Sequence, residues 1–361
     1  MKILQISNSL SSGGAERFVV DLCNRLALDK SNEVVLVTTD DEKMAKNVHY
    51  LDTLSKDVRF VNLHCKSGHH PLAFWRLFKT IKREKPDIVH AHCNMLLLYL
   101  PAILSSHIHF VHTLHSLAHH CLIYRWCKFV NRWLYQNRVQ AVTISKECNQ
   151  SYIDLYDLNT SICITNGREP LVPSGIIPTD VGLIKEQQSP IFIHVARFSP
   201  EKNQKRLFRA FERLQADGIK YQLLVIGNGY GPEIRDKYKN NSRIHIIGER
   251  KNVADYMALA DFFVLSSDIE GLPLTLLEAM SIGVIPICTP AGGCVDVIRD
   301  GENGYMPEKI DDELFYEAIC RALKERKHIS PSNIIKEYKE NYSMKVCAEK
   351  YFVLYKKMTR I

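Results

Sequence analysis

Hydrophobic positions in this chain fall into short runs rich in β-branched residues, and these runs alternate with longer stretches of helical periodicity. Near-continuous apolar runs separated by helices are typical of parallel strands that are covered on both faces of a sheet. The pattern predicts strands in two series, one before residue 168 and one after residue 190. The predicted strands are Lys2–Ser7, Val34–Thr39, Val58–Leu63, Ile88–His92, Phe110–Leu114, Ala141–Ser145, Ile162–Thr165, Ile191–Ala196, Gln222–Ile226, Ile244–Ile247, Phe262–Ser266 and Ile285–Cys288.

A proline-rich segment with little periodicity separates the two series of strands. We interpret it as a linker over 169–190, between an N-terminal domain over 1–168 and a C-terminal domain over 191–344. The predicted fold class is α/β, with two Rossmann-like parallel-sheet domains that face each other across a cleft. A last helix, over about 345–361, is apolar on one face and is predicted to pack back on the N-terminal domain.

The length and composition agree with this organisation and narrow the function. A chain of 361 residues is long enough for two domains, since single cores rarely grow past about 250–300 residues. Apolar residues make up 46% and charged residues 24%, which is typical of a globular protein. The net charge of +7 favours anionic ligands or an anionic membrane face, and it is too small for a polybasic nucleic-acid binder.

The sequence also bears on the compartment in which the protein works. No run reaches the ~20 apolar residues of a membrane-spanning helix, and the first apolar run is too short for a signal peptide because it meets Ser7. The 11 cysteines include no C-x-x-C pair, which favours reduced thiols over a disulfide or zinc scaffold. We therefore predict a cytoplasmic protein.

The segment Asp268–Met280 carries two glutamates at a predicted junction between a strand and a helix. Gly271 begins a loop, and the helix is predicted to begin at about Leu274. Ligands of open parallel sheets bind at the carboxyl ends of strands, where the N–H groups of a helix N-terminus suit phosphate. Glu270 on the loop and Glu278 one turn into the helix can then bond two hydroxyl groups of one ligand. The alternative, from spacing alone, is a buried junction in which the first glutamate caps the helix.

This segment resembles the E-x7-E signature of retaining glycosyltransferases with the GT-B fold, specifically glycosyltransferase family 4. Further along the chain, in the family's order, come Gly283–Ile287, Ala291–Ile298 and Asp300–Gly304. The resemblance extends from residue 3 to about residue 305, and it implies a GT-B fold and a nucleotide-sugar donor. It also implies that Glu278 holds the ribose hydroxyls and that Glu270 holds the hydroxyls of the transferred sugar. The resemblance further implies that backbone N–H groups near Gly271, Leu272, Pro273 and Leu274 help to hold the sugar and the phosphate.

Two basic residues, Arg197 and Lys202, follow the first strand of the C-terminal domain. A planar guanidinium and an ammonium group together can neutralise a diphosphate. The matching residues of the family grip the donor diphosphate and stabilise the leaving nucleotide, in place of the divalent metal of other glycosyltransferases. The resemblance thus implies neither a metal nor a cofactor. Ala196 stands where the family more often has glycine, which narrows the room near the phosphate, and two solvated charges on a loop are the alternative.

Gly13 and Gly14 lie between the first strand and its helix, where glycines let the backbone approach a ligand. The pair resembles the family's N-terminal glycine loop, which closes over the donor phosphate and shapes the acceptor site. The alternative is that this turn needs glycine only for its geometry.

Other glycines in the C-terminal half bear on the nucleotide. The turn Gly227–Pro232 is rich in glycine, but its spacing is not G-x-G-x-x-G, which disfavours a site for NAD. Gly248 and Arg250 match the family region that contacts the nucleotide base, mostly through the backbone. Where the family has an NGV[DE]-type segment, this chain has Arg168 in place of a small apolar residue, which leaves the ligand contacts there open.

Most of the 15 histidines lie between residues 64 and 120. His115 ends a predicted strand and best matches a family histidine whose side chain or backbone reaches the transferred sugar. His112 is interpreted as a core residue, and the reverse assignment stays open. Two pairs have the two-residue spacing of some metal sites, but no acidic residue accompanies them, so a core role is favoured. These pairs are His90 with His92, and His107 with His109.

The N-terminal domain carries two basic stretches, 64–85 and 119–138. In the second stretch, a basic stripe at helical spacing lies beside an aromatic and apolar one, which is typical of a helix in an anionic membrane interface. The alternative is an amphipathic helix packed on its own domain with its charges in water. Membrane contact would favour a lipid-linked sugar as the acceptor, and no nucleic-acid-binding motif accompanies the charge. The two stripes consist of Arg125, Lys128 and Arg132, and of Trp126, Phe129, Val130, Trp133 and Leu134.

These observations predict an enzyme that moves a hexose or N-acetylhexosamine from a UDP- or GDP-sugar to a carbohydrate or lipid-linked carbohydrate acceptor, with retention. No acidic residue of the N-terminal half stands out as a general base, which agrees with what is inferred for the family: the departing phosphate oxygen takes the acceptor proton. Catalysis then depends on positioning and on stabilising the leaving diphosphate. The residues expected to act in it are His115, Glu270, Arg197 and Lys202.

Two alternative functions remain for a protein with this fold or this ligand. A nucleotide-sugar epimerase needs acid–base carboxylates near the anomeric centre, and none is evident in the N-terminal half. A non-catalytic sugar-nucleotide-binding subunit is disfavoured by the complete set of predicted donor ligands. The sequence leaves open the donor sugar and its base, the acceptor, the linkage position and the oligomeric state.

Overall fold

The computed structural model of the protein describes residues 1–43, 48–66, 71–92, 96–105, 107–122, 124–181 and 189–359. The chain divides into two compact units. The first unit consists of Met1–Glu169 together with Tyr342–Ile361, and the second of Pro170–Asn341. Each unit is built on one parallel sheet with helices between its strands, as the alternating pattern predicts.

Apart from Glu169, the described part of the predicted linker 169–190 is built into the second unit. Leu171 N–H donates to Ser281 Oγ at 3.0 Å, and Ser174 N–H donates to Asp255 Oδ1 at 2.6 Å. Both acceptors belong to the second unit, which therefore begins at residue 170 instead of residue 191. Residues 182–188 of the predicted linker lie outside the described residues.

The first unit holds a seven-stranded sheet with parallel pairing throughout. Its strands are β1 (Lys2–Ser7), β2 (Glu33–Asp40), β3 (Val58–Cys65), β4 (Ile88–Ala91), β5 (His109–Leu114), β6 (Val139–Thr143) and β7 (Ile162–Cys163). Their order in the sheet is β3-β2-β1-β4-β5-β6-β7, so the order reverses between β1 and β4.

The helices of the first unit cover this sheet. They are α1 (Gly14–Leu26), α2 (Pro71–Glu84), α3 (Leu100–Ser105), α4 (Cys127–Asn137) and α5 (Lys146–Tyr156), with short 3-10 turns at Leu51–Thr53 and Leu96–Tyr99. Buried residues of α2, α4 and α5 share one core cluster with β1 and β4, which places these helices on one face of the sheet. The last helix, Met344–Thr359, returns to this unit and packs against α1. Residues 360 and 361 of that predicted helix lie outside the described residues.

The second unit holds a five-stranded parallel sheet. Its strands are β8 (Ile191–Val195), β9 (Gln222–Ile226), β10 (Ile244–Gly248), β11 (Phe262–Leu265) and β12 (Ile285–Cys288), in the order β10-β9-β8-β11-β12. Its helices are α6 (Gln204–Ala216), α7 (Pro232–Tyr238), α8 (Val253–Met257), α9 (Leu274–Ser281), α10 (Cys294–Val297), α11 (Asp312–Glu325) and α12 (Pro331–Glu337), with 3-10 turns at Pro200–Lys202 and Arg326–His328 and a π-helical turn at Tyr338–Tyr342.

Local sequence signals explain where several elements begin. Ser145 caps α5, because its hydroxyl accepts from Cys148 N–H at 3.1 Å. Asp311 caps α11 in the same way, and Pro232 occupies the first turn of α7, where its missing N–H costs nothing. All the predicted strands are present, with bounds shifted by up to two residues, so the predicted α/β fold is confirmed.

Candidate functional site

The predicted site residues of the second unit lie at the carboxyl end of its sheet, where the strand order reverses. β8 has β9 on one side and β11 on the other, so the chain leaves these neighbouring strands in opposite directions. Open parallel sheets bind ligands in the crevice that such a reversal creates. Arg197 and Lys202 lie on the loop after β8, and Glu270 lies on the loop after β11.

Lys202 and Glu270 form an ion pair across this reversal. The Lys202 Nζ atom lies 2.7 Å from both Oε1 and Oε2 of Glu270. The glutamate side chain is 5% exposed and the lysine side chain 23%. A carboxylate this far removed from water needs a partner, because an unpaired buried charge is costly. Ser267, itself fully buried, adds a third bond by donating its hydroxyl to Oε1 at 2.6 Å.

Hydrogen bonds between the two loops hold this pair in place. Asp268 N–H donates to the Glu201 carbonyl at 2.8 Å, and Asn203 Nδ2 donates to Asp268 Oδ2 at 2.9 Å. Ser266 Oγ donates to the Lys202 carbonyl at 3.0 Å. The backbone on either side of the ion pair is therefore joined directly from one loop to the other.

Arg197 is the exposed member of the predicted basic pair. Its side chain is 63% exposed, and Nη2 lies 3.3 Å from Glu201 Oε1. Its carbonyl accepts from Gln204 Nε2 at 2.8 Å, which fixes the backbone and leaves the side chain at the surface. An exposed ion pair of this kind contributes little energy, so the guanidinium can turn to an anionic ligand at low cost.

Helix α9 begins directly after the Glu270 loop. Its N-cap residue is Pro273, and the structure shows no side-chain cap there, so the interpretation in which Glu270 caps this helix is wrong. The carboxylate bonds Lys202 instead. A helix N-terminus without a side-chain cap suits an anion, because its first N–H groups carry partial positive charge. Glu278 lies half-buried on α9, one turn beyond the start of the helix.

Two glycines after β12 let the chain pass close to the Glu270 loop. A Cβ at Gly292 would lie 2.1 Å from the Glu270 carbonyl oxygen, so only glycine fits there. Gly293 N–H donates to the Gly271 carbonyl at 2.6 Å, and a Cβ on Gly293 would lie 3.0 Å from Leu272 Cβ. This close approach fixes the backbone from 270 to 272. It gives a physical reason for the G-G pair in the sequence.

The loops after β8, β9 and β10 also meet. Gly227 has a φ of +146°, and a Cβ there would lie 2.0 Å from the Ala196 carbonyl oxygen. Gly227 N–H in turn donates to the Gly248 carbonyl at 3.0 Å. The glycine-rich turn after β9 is thus needed for loop packing, which accounts for its composition without a dinucleotide.

Arg250 is held by neighbours within its own unit. Its Nη2 donates to Asp180 Oδ2 at 3.0 Å and its Nε to Tyr256 Oη at 3.1 Å. The bond to Asp180 raises the pKa of this guanidinium further above its usual value, so the residue stays charged. Its side chain is thereby committed to protein partners, which agrees with a base contact made mainly through the backbone.

In the first unit, Gly13 and Gly14 lie after β1, next to the point where the strand order reverses. Gly13 caps α1, and a Cβ there would lie 2.2 Å from Glu16 Oε2. Ser11 Oγ donates to Glu16 Oε1 at 3.3 Å, so the carboxylate folds back over the first turn of the helix. Gly13 has an extended backbone with a φ of −134°, and the atoms nearest to such a Cβ are the flexible carboxyl end of Glu16, so this turn does not require glycine at residue 13. A role of the pair in binding the donor phosphate stays a prediction.

His115 lies beyond the end of β5 and terminates a buried hydrogen-bonded chain. Its Nε2 lies 3.1 Å from His92 Nδ1, and His92 Nε2 lies 2.6 Å from Gln5 Oε1. Gln5 Nε2 in turn donates to Tyr355 Oη, from the last helix, at 3.1 Å. Burial, with a smaller contribution from the charge of His112, lowers the pKa of His115 to about 3. The ring is therefore neutral near pH 7.

The two alternatives for these histidines have different surroundings. His112 is 3% exposed, and its Nδ1 lies 2.7 Å from Tyr135 Oη inside the core. His115 is only partly buried at the carboxyl end of the sheet, which favours it over His112 as the residue that meets a ligand. His90 bonds Tyr355 and Thr113 through its two ring nitrogens. Within the described residues, no three His, Cys, Asp or Glu side chains gather as metal ligands would.

The predicted aromatic stripe of α4 divides between core and solvent. Leu134 is fully buried, whereas Trp126, Phe129 and Trp133 are 57%, 75% and 46% exposed. These three aromatics lie on the outer face of the helix, opposite the residues that enter the core. Residue 123 of this stretch lies outside the described residues, and none of the described helices is long and apolar enough to span a bilayer.

Ser267 is a site residue that sequence reasoning missed. It lies three residues before Glu270, on the same loop. Serine is common in loops, so neither its type nor its spacing separates it from its neighbour Ser266. The only available signal was its position between a predicted buried strand and the first glutamate of the signature.

Comparisons with known proteins cover both units of the chain. Residues 180–341 match the family model described as Glycosyl transferases group 1, and residues 12–168 match the model described as Glycosyltransferase Family 4. The chain is 25% identical over 279 residues to the UDP-Gal:alpha-D-GlcNAc-diphosphoundecaprenol alpha-1,3-galactosyltransferase of Escherichia coli, an alignment that covers 69% of this chain and 70% of that protein. It is 24% identical over 374 residues to the capsular polysaccharide biosynthesis glycosyltransferase CapH of Staphylococcus aureus, covering 96% of this chain and 99% of that protein.

A solved structure shares the fold of the whole chain. The glycosyltransferase from Rickettsia africae ESF-5 matches with a TM-score of 0.82 at 19% identity, covering 99% of this chain and 98% of the other. The first family match ends at residue 168 and the second begins at residue 180, close to the boundary between the two units at residues 169 and 170 of the sequence. The chain is therefore a glycosyltransferase of the GT-B fold, and it belongs to the family 4, group 1, glycosyltransferases.

Proposed function

We propose that this enzyme transfers a hexose or N-acetylhexosamine from a UDP- or GDP-sugar to a lipid-linked carbohydrate, with retention of the anomeric configuration and without a metal ion. The observation that carries the proposal is the ion pair of Lys202 and Glu270 at the strand-order reversal of the second unit. In this pair an ammonium group, which suits a diphosphate, lies beside a carboxylate that can accept a hydrogen bond from a sugar hydroxyl.

The donor diphosphate is assigned to three features of the second unit. Lys202 and the exposed Arg197 supply positive charge, and the N-terminus of α9 supplies N–H groups. Together they neutralise the charge that develops as the nucleoside diphosphate leaves, which is the main electrostatic requirement of the transition state. Glu278 is assigned to the ribose, because it lies one turn into the same helix.

The group that takes the proton of the acceptor hydroxyl is assigned to the donor itself. In a retaining transfer the acceptor hydroxyl attacks the face from which the diphosphate departs, so a departing phosphate oxygen lies within reach of the hydroxyl proton. The C1–O bond to the phosphate breaks, the C1–O bond to the acceptor forms, and the proton passes to the phosphate. His115 is neutral near pH 7, so it acts by positioning the transferred sugar and adds no positive charge.

A lipid-linked acceptor is supported by the relative from Escherichia coli, whose name specifies a sugar linked to diphosphoundecaprenol. The outer face of α4 supports the same assignment, because Trp126, Phe129 and Trp133 are exposed beside the basic residues of that helix. Aromatic rings and basic side chains together are typical of a helix in an anionic membrane interface. We propose that the enzyme works on the cytoplasmic face of a membrane and binds it through residues of about 119–138.

The first experiment is a thermal-shift screen against UDP, GDP, ADP, TDP and their sugar conjugates, with and without EDTA. A ligand that binds the native state raises the melting temperature by mass action. A rise with one nucleoside diphosphate, unchanged by EDTA, supports the donor class and identifies the base. No rise with any of them contradicts the donor assignment, and a rise that EDTA abolishes contradicts metal independence.

The second experiment identifies the reaction. The sugar nucleotide that raises the melting temperature is incubated with N-acetylglucosamine linked through diphosphate to a short polyprenol, and the product is analysed by NMR. An α-linked product from an α-linked donor supports retention. A β-linked product contradicts it, and free epimerised nucleotide sugar would favour the epimerase alternative.

A further inference from the structure

The contacts of the Glu270 carboxylate show which of its oxygens is open to a ligand. Oε1 receives two bonds, from Ser267 Oγ at 2.6 Å and from Lys202 Nζ at 2.7 Å. Oε2 receives one, from Lys202 Nζ at 2.7 Å. A carboxylate offers about four lone-pair directions, so one direction on Oε2 is left while both partners stay in place.

The position of Ser267 is itself set by the next strand. Ser267 is fully buried, and its carbonyl accepts from Thr289 Oγ1 at 2.5 Å. Thr289 N–H donates to the Leu265 carbonyl at 3.0 Å, which joins the end of β12 to the end of β11. The serine hydroxyl has a single proton, and the structure directs it to Glu270 Oε1. Ser267 therefore occupies one oxygen and fixes the rotation of the carboxylate.

We propose that Ser267 is a positioning residue for the donor sugar: it orients Glu270 so that Oε2 accepts a hydrogen bond from one sugar hydroxyl. This inference rests on the proposed function, since it needs a sugar nucleotide as the ligand. Ser267 acts through Glu270 and touches no ligand atom. Its loss should weaken the contact with the sugar and leave the contact with the nucleotide unchanged.

The test compares two ligands and two variants by titration calorimetry. Ser267→Ala is expected to raise the Kd of the sugar nucleotide about tenfold, because a misdirected charge-assisted hydrogen bond weakens binding on the order of tenfold. The Kd of the bare nucleoside diphosphate should rise less than about twofold, because this ligand has no sugar hydroxyl for Glu270 to bind. Ser145→Ala is the matched control: Ser145 is also a buried serine with one hydrogen bond, but it caps a helix of the first unit. It should change neither Kd. Equal effects of both variants on the sugar nucleotide would overturn the proposal.

Donor analogues that each lack one hydroxyl test the count of contacts. With the analogue that lacks the hydroxyl bound by Glu270, wild type and Ser267→Ala should bind equally, whereas every other analogue keeps the tenfold difference. If two different analogues each abolish the difference in Kd between wild type and Ser267→Ala, the single contact is contradicted. The same holds if no analogue abolishes it. If the alanine variant does not fold, Ser267→Cys replaces it, because cysteine keeps the side-chain volume and is a weaker hydrogen-bond donor. It should show the same pattern with smaller changes in Kd.

Failure of this inference is distinguishable from failure of the proposed function. A wild-type protein that binds no sugar nucleotide more tightly than the bare diphosphate contradicts the proposed function. A wild-type protein that does so, while Ser267→Ala behaves like Ser145→Ala, contradicts only the role of Ser267.

Discussion

Arg168 and Asp21 form a buried ion pair that joins the end of the first unit's main segment to helix α1. Their side chains are 9% and 1% exposed, and Arg17 supplies a second partner at 2.8 Å from Asp21 Oδ1. Arg168, which departs from the family pattern, therefore directs its side chain to a partner inside the first unit. The departure has a structural partner 147 residues earlier in the chain.

This ion pair makes Arg168→Leu a stability variant. Removing one partner of a buried pair usually costs about 3–5 kcal/mol, and the remaining Arg17 should reduce this to about 2 kcal/mol. Urea unfolding followed by a probe in the first unit measures the loss. The double variant Arg168→Leu with Asp21→Asn should recover part of it, because no buried carboxylate is then left with only one of its two basic partners. A single variant as stable as wild type would contradict the ion pair.

Arg197 and Lys202 should respond differently to alanine, although both are assigned to the diphosphate. Arg197 is exposed, so Arg197→Ala should leave the melting temperature unchanged and weaken nucleoside diphosphate binding about tenfold or more. Lys202→Ala should weaken binding and also lower the stability by about 2–3 kcal/mol, because Glu270 is left buried and charged without a cation.

A double variant separates the two effects of Lys202. Lys202→Ala with Glu270→Gln removes the unpaired charge, so the melting temperature should rise toward wild type while the nucleotide affinity stays low. Calorimetric titration with the bare diphosphate checks the second part. Affinity that returns together with stability would mean that Lys202 acts only through folding.

The strands and the loop-borne charges of the second unit were predictable from the sequence because each depends on local pattern. Apolar runs mark buried strands, and a glutamate or a lysine after such a run lies at the carboxyl end of the sheet. Strand ends were less accurate. The predicted strand Ala141–Ser145 lies at Val139–Thr143, since Ser145 serves as the cap of α5.

Contacts between distant segments could not be predicted. Nothing near Arg168 identifies Asp21 as its partner, and nothing near Ser267 distinguishes it from Ser266. The capping role suggested for Glu270 was wrong for the same reason, because the Lys202 that competes for its carboxylate is 68 residues away. Pattern locates the elements, whereas the pairing of charges depends on how the loops meet.

Glu278→Gln tests the ribose assignment. The amide keeps the size of the side chain and removes its charge, so the affinity for the nucleoside diphosphate should fall about tenfold, while the melting temperature without ligand stays the same. Since Glu278 is half-buried on α9, a purely structural role predicts the opposite pattern. A lower melting temperature with unchanged affinity would remove Glu278 from the donor site.

The outer face of α4 predicts binding to anionic vesicles. Replacing Trp126, Phe129 and Trp133 by serine should reduce binding to phosphatidylglycerol vesicles about tenfold or more, because these rings are exposed and available to the interface. Sedimentation of the protein with vesicles measures the change, and binding of wild type should weaken as salt is added.

A matched control removes equally exposed apolar residues elsewhere. Val172, Ile176 and Val353 are 82%, 73% and 66% exposed and lie outside α4. Their replacement by serine should leave vesicle binding unchanged. If both triple variants lose binding equally, general surface hydrophobicity explains the attachment and α4 has no special role.

Buried histidines predict that the first unit loses stability in mild acid. Burial lowers the pKa of His115 to about 3, and it lowers the pKa of His90 and His92 well below their usual value. In the unfolded chain each titrates near ~6.5, so below that pH the unfolded state binds protons that the folded state refuses. The stability is complete above about pH 7 and falls as the pH drops toward the folded pKa values. For His115, whose pKa in the folded protein is about 3, the loss should approach about 2 kcal/mol at pH 5, and His90 and His92 should add to this loss.

Urea unfolding of the first unit from pH 8 to pH 5 measures this slope. His90→Gln, which can still bond Tyr355 and Thr113, should make the fall in stability below about pH 6.5 less steep, because the unfolded chain then has one histidine fewer to protonate. His328→Gln, at an exposed position of the second unit, serves as the control and should leave the slope as it is. A wild-type stability that stays level down to pH 5 would mean that these histidines take up protons in the folded state, and the hydrogen-bonded chain that ends at His115 would then have to open.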